Sequence, residues 1–240
     1  MKYIDKKLET TSNSIARLIN GRKFKTILLL VTFVLLIVTG ILFKQEFIKL
    51  LPLFISLYVM LFQANANRYA YIIGAINCLL YTYVYIHLGL YANAASAVFF
   101  SFPIQILTFL NWKKHAYKKS VIFKKMTNKN RVYLGVLLVV VWSVVFVILK
   151  LTNGNYAFLD NTVALLGIAV SVLTMLAYIE YSYIWIVSCF LNVFLNMQIM
   201  LDNPQYISHF IYSLYCLICT IIAFINVIKL YNLQQAETSK

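Results

Sequence analysis

The feature that most constrains this chain is a rhythm: long uncharged runs of roughly 20 residues, broken by short polar turns. Eight such spans can be read, at about 26–43, 47–64, 69–88, 91–112, 132–151, 161–179, 183–201 and 205–229. A 20-residue helix is about 30 Å long, the thickness of a bilayer's hydrocarbon core. Lipid offers backbone groups no partner, so runs this long and this apolar must satisfy themselves as helices. The predicted fold class is therefore an all-α polytopic membrane protein. Composition agrees, at 62% hydrophobic and 12% charged residues, against roughly half and a quarter in a soluble domain. The first run follows too long a polar leader for a secretory signal, so it is expected to remain as a span.

A net charge of +14 would suit a nucleic-acid binder, but the placement of the charges excludes that class. With a cytoplasmic N-terminus, 18 of the 21 basic residues fall in cytoplasmic segments, eight of them between Lys113 and Arg131. Only Lys44, Lys49 and Lys150 lie outside. This is the positive-inside pattern of a multi-pass protein with both termini in the cytoplasm. No aromatic base-stacking surface is interleaved with the charges. Residues 1–25 form a basic tail, in which Ser14 to Phe24 reads equally as an amphipathic helix on the inner leaflet or as a mobile segment.

Short turns then set the organisation. Residues 26–43 read as an accessory lipid-facing helix, 47–112 as a three-helix bundle, 113–151 as a basic loop with a linker helix, 152–230 as a second three-helix bundle, and 231–240 as a tail. A shift of 115 residues places Tyr91 on Tyr206, Phe109 on Phe224, Asn111 on Asn226 and Lys114 on Lys229. Three spans per triplet with one span between them give both copies the same orientation, a parallel repeat about an axis along the membrane normal.

Polar residues recur at helical spacing within the apolar runs. Between Tyr91 and Trp112 there is no charge, yet Ser101, Gln105, Thr108 and Trp112 share one face. Pro103, two residues before Gln105, cannot donate a backbone hydrogen bond and frees the carbonyl of Phe99. Similar stripes are Gly74, Asn77, Tyr81 and Tyr85; Gly167, Ser171, Thr174 and Tyr178; Trp185, Ser188, Asn192 and Asn196; and His209, Ser213, Cys216 and Thr220. In hydrocarbon such faces must turn inward, either to bond neighbouring helices or to line a solute site. For a single Ser or Thr the helix-to-helix role is the simpler reading. Gln105 and Asn192 are bulky amides needing several partners, and they point to a site for a neutral polar solute carrying an aromatic ring.

Several chemistries lack their residues. No Asp, Glu, Lys or Arg lies deep in a span, since Asp160, Glu180 and Asp202 sit at span ends, and proton-driven transporters bury such groups. The sequence thus reads as a passive carrier of an uncharged or weakly charged solute. His209, near an outer helix end, reads as a helix-end hydrogen-bonder before a proton relay. His87, His115 and His209 are too scattered for a metal site, and the C-x-x-C of Cys216 and Cys219 lies in an apolar helix, where packing is its role. There is no P-loop, zinc-protease or nucleophile-elbow motif, so the chain is expected to be neither an enzyme nor dependent on a cofactor. A channel would need a charged ring or filter, and a receptor a larger outer domain.

At these residues the sequence resembles the PnuC family of bacterial vitamin transporters. The resemblance is carried by Asn67-Arg-Tyr-Ala-Tyr-Ile-Ile-Gly74, Leu90-Tyr-Ala, Phe99-Phe-Ser-Phe-Pro-Ile-Gln105 with Asn111-Trp112, then Trp185 with Asn192, and the Tyr212-x-x-Tyr215 region. It covers residues 47–230. It implies a SWEET-like core of two three-helix bundles joined by a linker helix, in the bacterial cytoplasmic membrane, and a homotrimer. It further implies facilitated diffusion of nicotinamide riboside into the cytoplasm, where a kinase traps it by adding charge. Relatives carry thiamine, riboflavin or deoxynucleosides. Cys189, where many relatives have Asp or Asn, leaves the substrate open among these. On this reading Gln105, Asn192 and Asn196 hydrogen-bond the ligand, with Asn77 on the adjoining stripe. Trp185, Phe102, Tyr81 and Tyr215 enclose its ring, and Pro103 and Gly74 serve as hinges.

Overall fold

The computed structural model describes residues 21–151 and 154–238; the tail at 1–20, residues 152–153 and the last two residues lie outside it, as does most of the expected amphipathic helix. Eight helices long and apolar enough to cross a membrane are present among the described residues. They are α1 (Arg22–Leu42), α2 (Phe47–Ala64), α3 (Tyr69–His87), α4 (Tyr91–Lys114), α5 (Asn128–Leu151), α6 (Ala157–Met175), α7 (Tyr181–Asp202) and α8 (Ile207–Thr238). The last runs on through the segment expected to be a tail.

Six of these helices close a ring. Within each triplet the middle helix packs on both neighbours, α3 on α2 and α4, and α7 on α6 and α8. Among the described residues the first and third helices of a triplet do not pack on each other, so each triplet is an arc. The arcs meet at two seams, α4 against α6 and α8 against α2. Both seams join helices of the same direction and are stitched alike. Asn111 Nδ2 donates to Met175 O, the last residue of α6, and Asn226 Nδ2 donates to Ala64 O, the last residue of α2, both at 2.6 Å. The two asparagines equated by the repeat thus do the same job on opposite seams.

The ends of α2 and α6 repeat one another as well. Ala66 N–H reaches Gln63 O and Asn67 N–H reaches Phe62 O; Ala177 N–H reaches Thr174 O and Tyr178 N–H reaches Leu173 O. Each is a Schellman stop, with an alanine at φ 49° and 58° holding the left-handed position usually given to glycine.

The remaining helices sit outside the ring. α1 lays Thr32, Leu36, Thr39 and Gly40 against α8 and α2, with Thr39 Oγ1 2.8 Å from Ser208 Oγ, and leaves its other faces exposed. α5 packs on α6 and buries only Leu149, so nearly all its surface is left for lipid. The basic loop is not an open linker. Ala116–Tyr117 and Ser120–Val121 pair as a small hairpin, and Gln234 of α8 holds it by accepting from Phe123 N–H and donating to Val121 O. That seats Val121 and Phe123 in a buried layer with Tyr71, Trp112, Leu173, Tyr181 and Val227. A second apolar layer crosses the opposite end of the ring, built from Val84, Leu88, Leu90, Val163, Leu195 and Ile199.

Candidate functional site: a cavity inside the helix ring

Between the two layers lies a cavity of about 300 Å³. Each arc contributes faces at helical spacing: Cys78, Tyr81 and Tyr85 from α3; Ser101, Gln105 and Thr108 from α4; Gly167, Ser171 and Thr174 from α6; Trp185, Ser188, Asn192 and Asn196 from α7; His209, Tyr212 and Cys216 from α8. No Lys, Arg, Asp or Glu side chain is among the described residues that line it.

α4 is shaped to present its amide. Ahead of Pro103 the helix widens into a π-turn over Ala97–Ser101 and resumes at Phe102. The missing N–H of the proline is absorbed by this change of hydrogen-bond register, a common place for functional side chains. Gln105 then reaches α3 at Gly74, where a Cβ would lie 2.1 Å from its Oε1. Its Nε2 donates to Cys78 Sγ at 3.0 Å, a weak acceptor, and Oε1 has no partner. A buried carbonyl oxygen left unpaired costs about 1–3 kcal/mol.

On α7, Asn196 Nδ2 donates to Asn192 Oδ1 at 3.0 Å and to Asn192 O at 2.8 Å, which holds the two amides as one unit. Trp185 sits on the same face nearer the loop end, with its ring centroid 6.2 Å from that of Tyr181. Across the ring, Tyr81 stacks on Tyr85 at 5.5 Å and faces Tyr212 at 6.5 Å. Ser56 Oγ donates to the Tyr81 hydroxyl, and Asn77 Nδ2 donates to Ser56 Oγ at 2.6 Å.

Five of the residues singled out from the sequence therefore line one space: Gln105, Asn192, Asn196, Trp185 and Tyr81. Three do not. Asn77 turns toward α2 and also bonds Pro52 O at 3.0 Å; its neighbour Cys78 takes the cavity position. Tyr215 is buried in the α2–α8 seam, its hydroxyl donating to Leu57 O at 2.7 Å. Phe102 follows Ser101 and is rotated off the lining face. Tyr85, on the same stripe as Tyr81, and Tyr212, in the Tyr212-x-x-Tyr215 region, line the cavity too, and so does Cys78, which no stripe included; in an aromatic-rich chain helical spacing does not separate cavity from core.

Two groups depart from expectation. Asp160 does stand in the first turn of α6, as a span-end carboxylate should, but it is fully buried. It accepts from the N–H of Ala92 and of Asn93 and from Asn93 Nδ2, so one helix supplies the N-terminal cap of another across the α4–α6 seam. His209, expected to bond at a helix end, has no partner on either ring nitrogen.

A ring of helices around a polar cavity whose described lining residues carry no formal charge, with an apolar layer toward each end, is the build of a membrane carrier. The chain belongs to the nicotinamide mononucleotide transporter family, whose family model matches residues 46–227 and leaves α1 outside. The fold is that of a solved structure described as the crystal structure of the vitamin B3 transporter PnuC, 21% identical, with a TM-score of 0.75 over 89% of this chain and 94% of that one. No curated protein sequence matches.

Proposed function

We propose that this protein carries nicotinamide riboside by facilitated diffusion into the cytoplasm of a bacterial cell, where phosphorylation by a kinase prevents its return. The observation that carries the reading is the cavity: amides and aromatic rings, with no formal charge among its described lining residues. Its volume of about 300 Å³ is at the small end for ligand pockets. Gln105 and the Asn192–Asn196 pair supply donors and acceptors for a carboxamide and a ribose. Trp185 and Tyr81 supply π-faces for a cationic pyridinium ring, worth roughly 0.5–2 kcal/mol each.

The family's description names the mononucleotide. A phosphate brings charge into a low-dielectric space and requires a cationic partner, and no Lys or Arg lines the cavity among the described residues. The riboside fits that chemistry better than its phosphorylated form. The same absence of carboxylates and ammonium groups supports passive transport. The crowding of basic residues at one end of the ring supports cytoplasmic termini.

The test is uptake of labelled nicotinamide riboside into proteoliposomes, with and without an imposed proton gradient, and with unlabelled mononucleotide, thiamine, riboflavin and deoxynucleosides as competitors. Riboside should equilibrate without accumulating, indifferent to the gradient and to mononucleotide. Gln105→Ala and Asn192→Ala should abolish binding while the purified proteins stay folded. Accumulation driven by a pH gradient with the membrane potential clamped at zero would refute passive transport. Uptake of another competitor in place of the riboside would refute the substrate.

A further inference from the structure

We infer that His209 is a substrate contact that recognises a sugar hydroxyl at the end of the cavity away from the basic loop; this rests on the riboside reading above. His209 lies in the first turn of α8, is 5% exposed and lines the cavity. Its nearest aromatic neighbour is Tyr206, ring to ring at 5.7 Å, and neither ring nitrogen has a hydrogen-bond partner. The usual outcome for a helix-end histidine is seen at His87, whose Nδ1 lies 2.9 Å from Tyr83 O. Buried polar atoms are almost always paired, so two orphaned nitrogens on a cavity wall mark a place where a partner arrives from inside the cavity.

Position and chemistry narrow that partner. His209, Tyr212 and Cys216 recur on one face of α8, and all three line the cavity. α7 and α8 run antiparallel with Cys189 Sγ 3.2 Å from Thr220 Oγ1, so Asn196 comes level with Ser213, one turn from His209. The polar end of the cavity is therefore an amide pair beside an imidazole, with Trp185 toward the other end. A neutral imidazole offers one N–H donor and one bare nitrogen acceptor. A hydroxyl both donates and accepts, so it suits whichever nitrogen turns inward. A phosphate only accepts, so it would leave the bare ring nitrogen without a donor.

The experiment measures binding of nicotinamide riboside and its 2′-, 3′- and 5′-deoxy analogues to the wild type, His209→Gln and His209→Phe, alongside thermal unfolding. His209→Phe fills the volume without polar atoms, so it should unfold at the same or a higher temperature while losing about tenfold or more in riboside affinity. One deoxy analogue should bind the wild type about as weakly as the riboside binds His209→Phe, and should lose nothing further in that variant. His209→Gln, which keeps a donor and an acceptor, should retain part of the affinity. Wild-type riboside affinity in both variants overturns the inference alone, as does an equal loss for the riboside and every analogue. Absence of riboside binding to the wild type overturns the substrate reading and this inference together.

Discussion

Gly74→Ala displaces the Gln105 amide without altering it. A Cβ at residue 74 would lie 2.1 Å from Gln105 Oε1 and 3.1 Å from Cδ. Those atoms are the tip of a flexible side chain, so Gln105 swings away and the helices stay in place. Alanine is better than glycine in a helix by about 1 kcal/mol. Pushing Gln105 off its rotamer costs about 0.5–1.5 kcal/mol. The two nearly cancel, and the melting temperature should move by no more than a few degrees. Binding has no such compensation. Two hydrogen bonds from the amide to a ligand, at about 0.5–1.5 kcal/mol each, amount to roughly 5- to 150-fold in Kd. The assay is riboside binding by calorimetry on Gly74→Ala, Gln105→Ala and the double variant, with unfolding of each. Because both substitutions act through one amide, the double variant should bind no worse than Gln105→Ala alone. In the Gln105→Ala background the collision is gone, and Gly74→Ala should stabilise by about 1 kcal/mol. Unchanged affinity in Gly74→Ala, or losses that add as if independent, would refute the reasoning.

Three further outcomes are expected. Asn111→Leu and Asn226→Leu should each lower the unfolding temperature by a similar small amount, about 0.6 kcal/mol per interhelical bond, and the double variant by their sum, because they stitch opposite seams; markedly unequal shifts in thermal unfolding would contradict the equivalence. Asp160→Ala leaves the N–H groups of Ala92 and Asn93 without their acceptor and Asn93 Nδ2 with only the backbone O of residue 160, and at about 1.5–3 kcal/mol per charge-assisted bond it should be the most destabilising change of this group, read as loss of monodisperse protein after detergent extraction. Tyr156, beside the ring's outer end, has its phenol pushed up to about 12 by burial and by its hydrogen bond to Asp202. The folded state holds that proton more tightly than the unfolded one, so stability is intact below pH 10 and falls as pH rises toward 12; the stability difference between the wild type and Tyr156→Phe should be constant below pH 10 and change only in that window.

The helices, their number and the parallel repeat were legible because lipid leaves a chain few choices. Any run of 20 apolar residues must be a helix, and the Asn111 and Asn226 spacing marks where equivalent helices end. The inner face was legible only in part. A step of one residue turns a helix by 100°, and Asn77 and Cys78 differ by that step. In lipid a polar residue satisfied by the next helix is patterned like one lining a cavity, so Asn77 read the same as Gln105. Tyr215 failed for the same reason, its hydroxyl being spent on a backbone carbonyl across a seam. Long-range pairings left no local trace at all. Nothing near Asp160 indicates that it caps α4, and nothing in a lysine-rich loop indicates that Phe123 and Val121 fold back into a buried apolar layer.

The stitching of the seams has a consequence for how such a molecule is assembled. Each arc carries the amide at one edge and the receiving carbonyl at the other: Asn111 and Ala64 on the first, Asn226 and Met175 on the second. A half-length chain spanning α2 to α4 thus holds both complementary edges, and two identical copies inserted in the same direction have the parts to close on each other. The intervening helix α5 adds little to that closure; it lets one polypeptide do, in a single orientation, what a pair of twins would otherwise do by meeting.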